Sequence, residues 1–212
     1  MNKNILITIA SILLCFSSNA QQKSENFYYY RGEKIYLQQT DKIYLKFVPD
    51  TNAEQIRSLI CKDSSLLTSK LSLDNNSLRF AVVESKGSRN VSSTDIEAYK
   101  ASSEVVSANF MFQNEEQLSA ITDEFVVKLK ATTSYNQLQD LAEENDCKIE
   151  RENEFIKNKF VVNVSKMSNL NALQMSNLFY ETGLFDYSSL NFVLFNIFQS
   201  NDTYFIRACF VF

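Results

Sequence analysis

The sequence predicts an α+β fold built from two successive units. Three observations carry that prediction: a repeat at constant offset, period-2 alternation in its strands, and helix starts that recur at matching places. Thr40-Asp41 with the strand Ile43 to Val48 overlies Thr122-Asp123 with the strand Phe125 to Lys130, an offset of 122 − 40 = 82 residues. The offset continues through Thr51/Thr133, Asn52/Ser134, Gln55/Gln137, Ile56/Leu138 and Leu59/Leu141, and returns at Asn109-Phe110 against Asn191-Phe192. Self-similarity of this kind marks two copies of one module, and two copies are too few for a solenoid.

The second copy is the clearer one. Phe125, Val127 and Leu129 alternate with Val126, Lys128 and Lys130, as in a half-buried strand. Ser134 and Gln137 have capping-box spacing, and Leu138, Leu141 and Ala142 share one face of the helix that follows. Strands are expected over Lys148 to Asn153 and Lys159 to Val164, then a helix from Asn169 to Thr182 stopped by Gly183, and a closing strand from Phe185 to Phe195.

The first copy repeats this order with strands near Ile43 to Val48, Leu66 to Leu73, Leu78 to Glu84 and Val105 to Phe112. Its helices fall near Ala53 to Ile60 and Asp95 to Ser102. The order β-α-β-β-α-β is that of tandem ferredoxin-like units, each an antiparallel sheet with its helices on one face. The expected organisation is a first unit over 26–113, a linker over Gln113 to Ala120, and a second unit over 117–200.

Composition removes several function classes. The chain of 212 residues is 45% apolar, enough for one ordinary domain or two small ones. A net charge of −4 and no long Lys/Arg run argue against a nucleic-acid partner. With no histidine there is no Ser-His-Asp triad, Cys-His dyad or His-containing zinc site, and three glycines are too few for a phosphate- or dinucleotide-binding loop. No metal or other cofactor is expected, and the chain is expected not to be an enzyme.

Lys3, the apolar stretch from Ile5 to Phe16 and Ser18-Asn19-Ala20 read as a signal peptide over residues 1–20, cleaved between Ala20 and Gln21. The apolar run is shorter than the roughly 20 residues that span a bilayer, so export without membrane attachment is expected. Cys15 suggests a lipid-modified cysteine, but Leu14 stands where such signals carry a small residue. Export places Cys61, Cys147 and Cys209 where disulfides persist. Their spacing leaves open one pair plus a free thiol, or three unpaired thiols. The sequence says nothing about oligomeric state.

Paired acids can perform general acid/base work. Here Glu115-Glu116 falls in the linker, Glu143-Glu144 ends an exposed helix, and Glu150, Glu152 and Glu154 alternate on one face of a strand. A solvated or docking surface explains them better. Tyr28-Tyr29-Tyr30 reads as a short N-terminal strand or edge packing in preference to a stacking platform.

Larger stretches resemble a known family. These are Leu118 to Lys128, Glu152-Asn153-Glu154-Phe155, Asn171 to Tyr187 and Asn191-Phe192. Together they resemble the pro-region, of the fervidolysin kind, of exported bacterial subtilisin-like serine proteases. Leu190 stands where that family usually has proline. Asn201-Asp202-Thr203-Tyr204-Phe205 resembles the opening of the family's catalytic domain, after which Ile206 to Phe212 departs from it. The expectation is that residues 201–212 are the truncated start of a catalytic domain followed by an aberrant tail.

The resemblance implies an intramolecular-chaperone-like inhibitor whose partner is a subtilisin-like catalytic domain. The sheet would dock on the protease, and Asn196, Ile197, Phe198, Gln199 and Ser200 would run through its cleft. Lys128 and Lys130, with Glu150, Glu152 and Glu154 on a neighbouring strand, are the expected docking residues. The alternatives are an exported protein-binding module at the cell surface or periplasm, and a non-functional remnant of a serine protease gene.

Overall fold

A computed structural model describes residues 26–62, 65–72, 79–87, 90–114 and 117–195. A hairpin of β1 (Phe27–Tyr30) and β2 (Glu33–Tyr36) comes first. The first half then runs β3 (Gln38–Phe47), α1 (Ala53–Ile60), β4 (Leu66–Ser72), β5 (Phe80–Ser85), α2 (Ser93–Lys100) and β6 (Val105–Asn114). The second half runs β7 (Gln117–Leu129), α3 (Tyr135–Glu144), β8 (Cys147–Glu152), β9 (Lys159–Val164), α4 (Ala172–Glu181) and β10 (Phe185–Phe195). The fold is mixed α+β, and all the described strand pairs are antiparallel. Among the described residues no helix is long and apolar enough to cross a membrane.

Among the described residues, each of the four helices opens on a reciprocal capping box: Asn52/Gln55, Ser92/Asp95, Ser134/Gln137 and Asn171/Gln174. Two orphan backbone donors are satisfied at each helix start, which defines where short helices of eight to ten residues begin. The apolar stripe of each helix turns onto the same side of the sheet. Ile56, Ile60, Ile96 and Tyr99 pack on Ile43, Leu45 and Phe47 in the first half. Leu138, Ala142, Leu173 and Phe179 pack on Phe125, Val127 and Leu129 in the second, with the Phe125 and Phe179 rings edge to face at 4.9 Å.

Sheet order is β4-β5-β3-β6 in the first half and β10-β7-β9-β8 in the second, so corresponding strands take corresponding places. The two halves join in one eight-stranded sheet, because Gln113 to Ala120 is not a linker. Met111, Phe112, Gln113 and Asn114 pair with Ala120, Ser119, Leu118 and Gln117 as a hairpin. The strand pattern extends upstream of Thr122-Asp123 through Leu118, Ala120 and Ile121, and these residues bury apolar surface only by pairing.

The Thr-Asp repeat has a structural explanation. Between Gln39/Phe112 and Ile43/Phe110, three residues of β3 face one of β6; between Ile121/Phe192 and Phe125/Leu190, three residues of β7 face one of β10. The threonine spans each bulge. Thr40 Oγ1 donates to the Met111 carbonyl at 3.0 Å and accepts from Lys42 N at 3.3 Å. Thr122 Oγ1 donates to the Asn191 carbonyl at 3.0 Å and accepts from Glu124 N at 3.1 Å. These registers correct the expected equivalence of Asn109 with Asn191. Ile43 faces Phe110 and Phe125 faces Leu190, so the offset of 125 − 43 = 82 in the first strand has become 190 − 110 = 80 in the last. It is 171 − 92 = 79 at the second helix cap, the first half carrying extra residues between β4 and α2.

The tyrosine tract is a strand, as expected. Its hairpin turns at Arg31 (φ 51°) and Gly32 (φ 87°), two left-handed residues in the conformation that suits a two-residue hairpin. The hairpin lies on the second half although it precedes the first in sequence. Tyr29 stacks on Tyr180 at 4.1 Å and donates to Glu181 at 2.8 Å, Asn177 donates to the Phe27 carbonyl at 2.7 Å, and Tyr28 and Leu37 join the second core. The span 26–113 expected for the first unit is thus divided between the two cores. Cys61 is disulfide-bonded, and Cys147 is a free thiol.

If Thr122 holds its bulge, Thr122→Val removes the hydroxyl's bonds to the Asn191 carbonyl and to the Glu124 backbone at a part-buried site. A loss of about 1–3 kcal/mol is expected, read as a lower urea midpoint at unchanged slope.

Candidate functional site

All four helices of the described residues lie on one side, so the other face of the sheet is the surface to search for function. Its centre is apolar. Tyr44, Val82, Met111, Ala120 and Phe195 form a cluster there, bordered by Phe80, Leu118 and Val193. The Tyr44 ring lies 5.4 Å from Phe80, and Phe195 packs edge-on to both. Burial first, then the Asp123 and Glu124 carboxylates, push the Tyr44 hydroxyl up, so it stays protonated at any ordinary pH. Towards the far end of the second half the face becomes polar, with Lys128 opposite Lys159 on one side and Tyr187 on the other.

A charged cluster occupies the point where β7 changes partners. Along one edge β7 pairs with β6 as far as Ala120 and with β9 from Glu124 onward. Lys46 reaches across from β3 to Asp123 at 2.6 Å and Glu124 at 3.4 Å, and its side chain is only 15% exposed. Asn191 donates to Glu124 Oε2 at 2.8 Å, and Asn109 donates to the Ile121 and Thr122 carbonyls at 3.3 and 3.4 Å. The Thr-Asp repeat does not by itself disclose this ion pair. The signal lay in Asp123 itself, a carboxylate in a strand whose partner had to come from the other copy.

Beyond that cluster β6 and β9 splay, leaving a groove of about 580 Å³ lined by Val48, Val105, Val106, Cys147, Val164 and Lys166 among others. Lys166 closes one side by donating to the Ser102 carbonyl at 3.1 Å. Burial, with a smaller contribution from Asp146, pushes the Cys147 thiol up to about 12. Such a thiol is a poor nucleophile and a poor metal ligand near neutral pH. Among the described residues no three Cys, His, Asp or Glu side chains converge as a metal centre would require.

The expected docking residues are only partly brought together. Lys128 lies on the face away from the described helices and Lys130 just beyond the end of β7, but both ammonium groups serve the fold: Lys128 donates to the Lys157 carbonyl, and Lys130 to the Gly183 carbonyl behind α4 at 2.6 Å. Glu150, Glu152 and Glu154 do not share a strand face. A bulge between Ile149 and Arg151 breaks the alternation. Glu150 falls within it beside Lys148 at 3.2 Å. Glu152 pairs with Phe160, a residue of the helix-side core, and accepts from Asn158 N at 2.7 Å. Glu154 stands in the turn after β8, which ends at Glu152. The proposed cleft-binding residues Asn196 to Ser200 and the cleavage site Ala20/Gln21 lie outside the described residues.

No protein-family model, curated protein or solved structure matches the chain.

Two outcomes test this geometry. Lys46→Met leaves two neighbouring carboxylates in a mostly buried place and is expected to cost about 1–3 kcal/mol. Lys42→Met, at a more exposed pair with Glu84, is expected to cost at most about 1 kcal/mol in the same denaturation series. With its thiol at about 12, native Cys147 should react with iodoacetamide at pH 8 roughly 100-fold or more slowly than in urea, the rate rising about tenfold per pH unit. Peptide mapping by mass spectrometry reads the label at that residue.

Proposed function

We propose that this chain is an exported, non-catalytic binding protein made of two ferredoxin-like units, the second of which inhibits a subtilisin-like serine protease in the manner of a pro-region. The observation that carries the reading is the one-sidedness of the second unit together with the exit of its last strand. The helices occupy one face, and β10 ends at Phe195 within the apolar cluster of the other.

The exit point is held on both sides. Phe195 pairs with Leu118, and the Gln117 amide donates to the Phe195 carbonyl at 3.2 Å. The residues that follow in sequence are 196–200. Those residues are of the type an extended peptide uses in a protease cleft: backbone hydrogen bonds supply the affinity, and side chains such as Ile197 and Phe198 supply specificity. Docking would use the polar end of the face away from the described helices, at Tyr187, Lys128 and Lys159, since its apolar centre is buried. Absence of histidine from the chain supports a binding role over serine-protease chemistry, since no imidazole is present to activate a serine.

The test is inhibition in trans. The mature chain from Gln21 is titrated against a purified subtilisin-like protease from the same genome, alongside a form ending at Phe195. Inhibition by the longer form, with loss of most inhibition but retention of weak binding by the shorter, is the expected result. Equal inhibition by both would remove the cleft-filling role of residues 196–200, and no binding by either would remove the protease as partner.

A further inference from the structure

Large apolar side chains are concentrated at one end of the second half. Of eight that stand exposed among the described residues, Phe155, Ile156, Tyr135 and Tyr187 ring the end of the sheet where β7 finishes. Phe155, at the tip of the β8–β9 connection, is 92% exposed, the most exposed of them all. Its loop is nevertheless tightly held. Asn153 Oδ1 accepts from the amides of Phe155 and Ile156 at 3.0 and 2.9 Å, and Glu152 accepts from Asn158 N at 2.7 Å. The Asn158 carbonyl accepts from Leu129 N at 3.0 Å, and Lys128 donates to the Lys157 carbonyl.

A ring left in water on a mobile loop would need ordering before it could bind. Here the backbone under the ring is already fixed, so little conformational entropy remains to be lost on docking. A preorganised aromatic anchor beside a second apolar residue is what dominant interface contacts use. Along β7 the loop and the exit of β10 lie at opposite ends, from Lys128 to Leu118, roughly 30 Å at 3.3 Å per residue. A partner touching both spans roughly 30 Å, about the diameter of a small folded domain.

Resting on the reading above, we infer that the Asn153–Asn158 loop is a second anchor for the same protease partner. Phe155 enters an apolar pocket on its surface, away from the cleft that takes residues 196–200. Lys128, tied to the loop backbone, then acts in docking as a positioning residue for the loop.

The experiment measures binding and inhibition of the purified subtilisin-like protease by the full mature chain and by Phe155→Ser, Phe155→Trp and Asn153→Ala. Phe155→Ser is expected to weaken binding about tenfold or more, through faster dissociation, with its melting temperature unchanged because the ring makes little contact within the fold. Phe155→Trp should retain binding, and Asn153→Ala, which keeps the ring but frees the loop, should fall between. If the natural chain inhibits and Phe155→Ser inhibits equally, the second anchor is overturned while the proposed function stands. If the natural chain neither binds nor inhibits, both fall. Phe155-dependent partitioning onto phosphatidylglycerol vesicles, with protease binding unaffected by Phe155→Ser, would overturn the inference in favour of a membrane contact.

Discussion

Strand β7 is bonded along both edges, and the arrangement of the two halves depends on how it shares one of them. Its first residues pair with β6 of the first half and its last with β9 of the second, while β10 follows the other edge. Two strands cannot occupy one edge at the same point, so the handover needs a place where β7 turns away from one and accepts the other. The three-residue bulge over Thr122, Asp123 and Glu124 provides it. Thr122 bonds across the bulge, and Lys46 brings a positive charge to the two carboxylates that the bulge leaves side by side. A bulge normally marks an irregular edge; here it is the hinge point of a continuous sheet.

This sharing hides sheet edges that tandem units would otherwise expose. An isolated first half would present β6 as an open edge, and an isolated second half the first residues of β7, both templates for unwanted pairing. Pairing them with each other covers β6 from Met111 to Asn114 and the first residues of β7. The N-terminal hairpin reinforces the join, since it leads into β3 of the first half while Tyr28 and Tyr29 rest on Phe192 and Tyr180 of the second. The described helices all remain on one side, and the other face of the sheet has a buried apolar centre and a partly exposed polar end.

Side chains that look free in the sequence are committed within this framework. Lysine in a strand beside apolar neighbours suggests a surface charge open to a partner, yet the Lys128 and Lys130 ammonium groups hold turns that follow β8 and α4. The glutamates after Ile149 suggest an acidic stripe, and a one-residue irregularity disperses them. What stands free is Phe155, which an inventory of apolar residues would assign to a core.

Local physics made much of the fold legible. Capping residues at Asn52, Ser134 and their +3 partners specify helix starts without reference to anything distant, which is why α1 and α3 begin where the spacing predicts. Alternation in Phe125 to Leu129 and the β-branched run from Lys159 to Val164 likewise specify strands and their buried side. Tertiary structure alone decided the junction: the hairpin at Gln113 to Ala120, the two-residue slip in the final strand, the reach of Lys46 to Asp123, and the exposure of Phe155. Each depends on which strand lies beside which, a long-range choice between pairings with the same local pattern. A capping box or an alternating run is satisfied within a few residues, whereas a bulge, a shared edge and a cross-sheet ion pair exist only once the two halves have met.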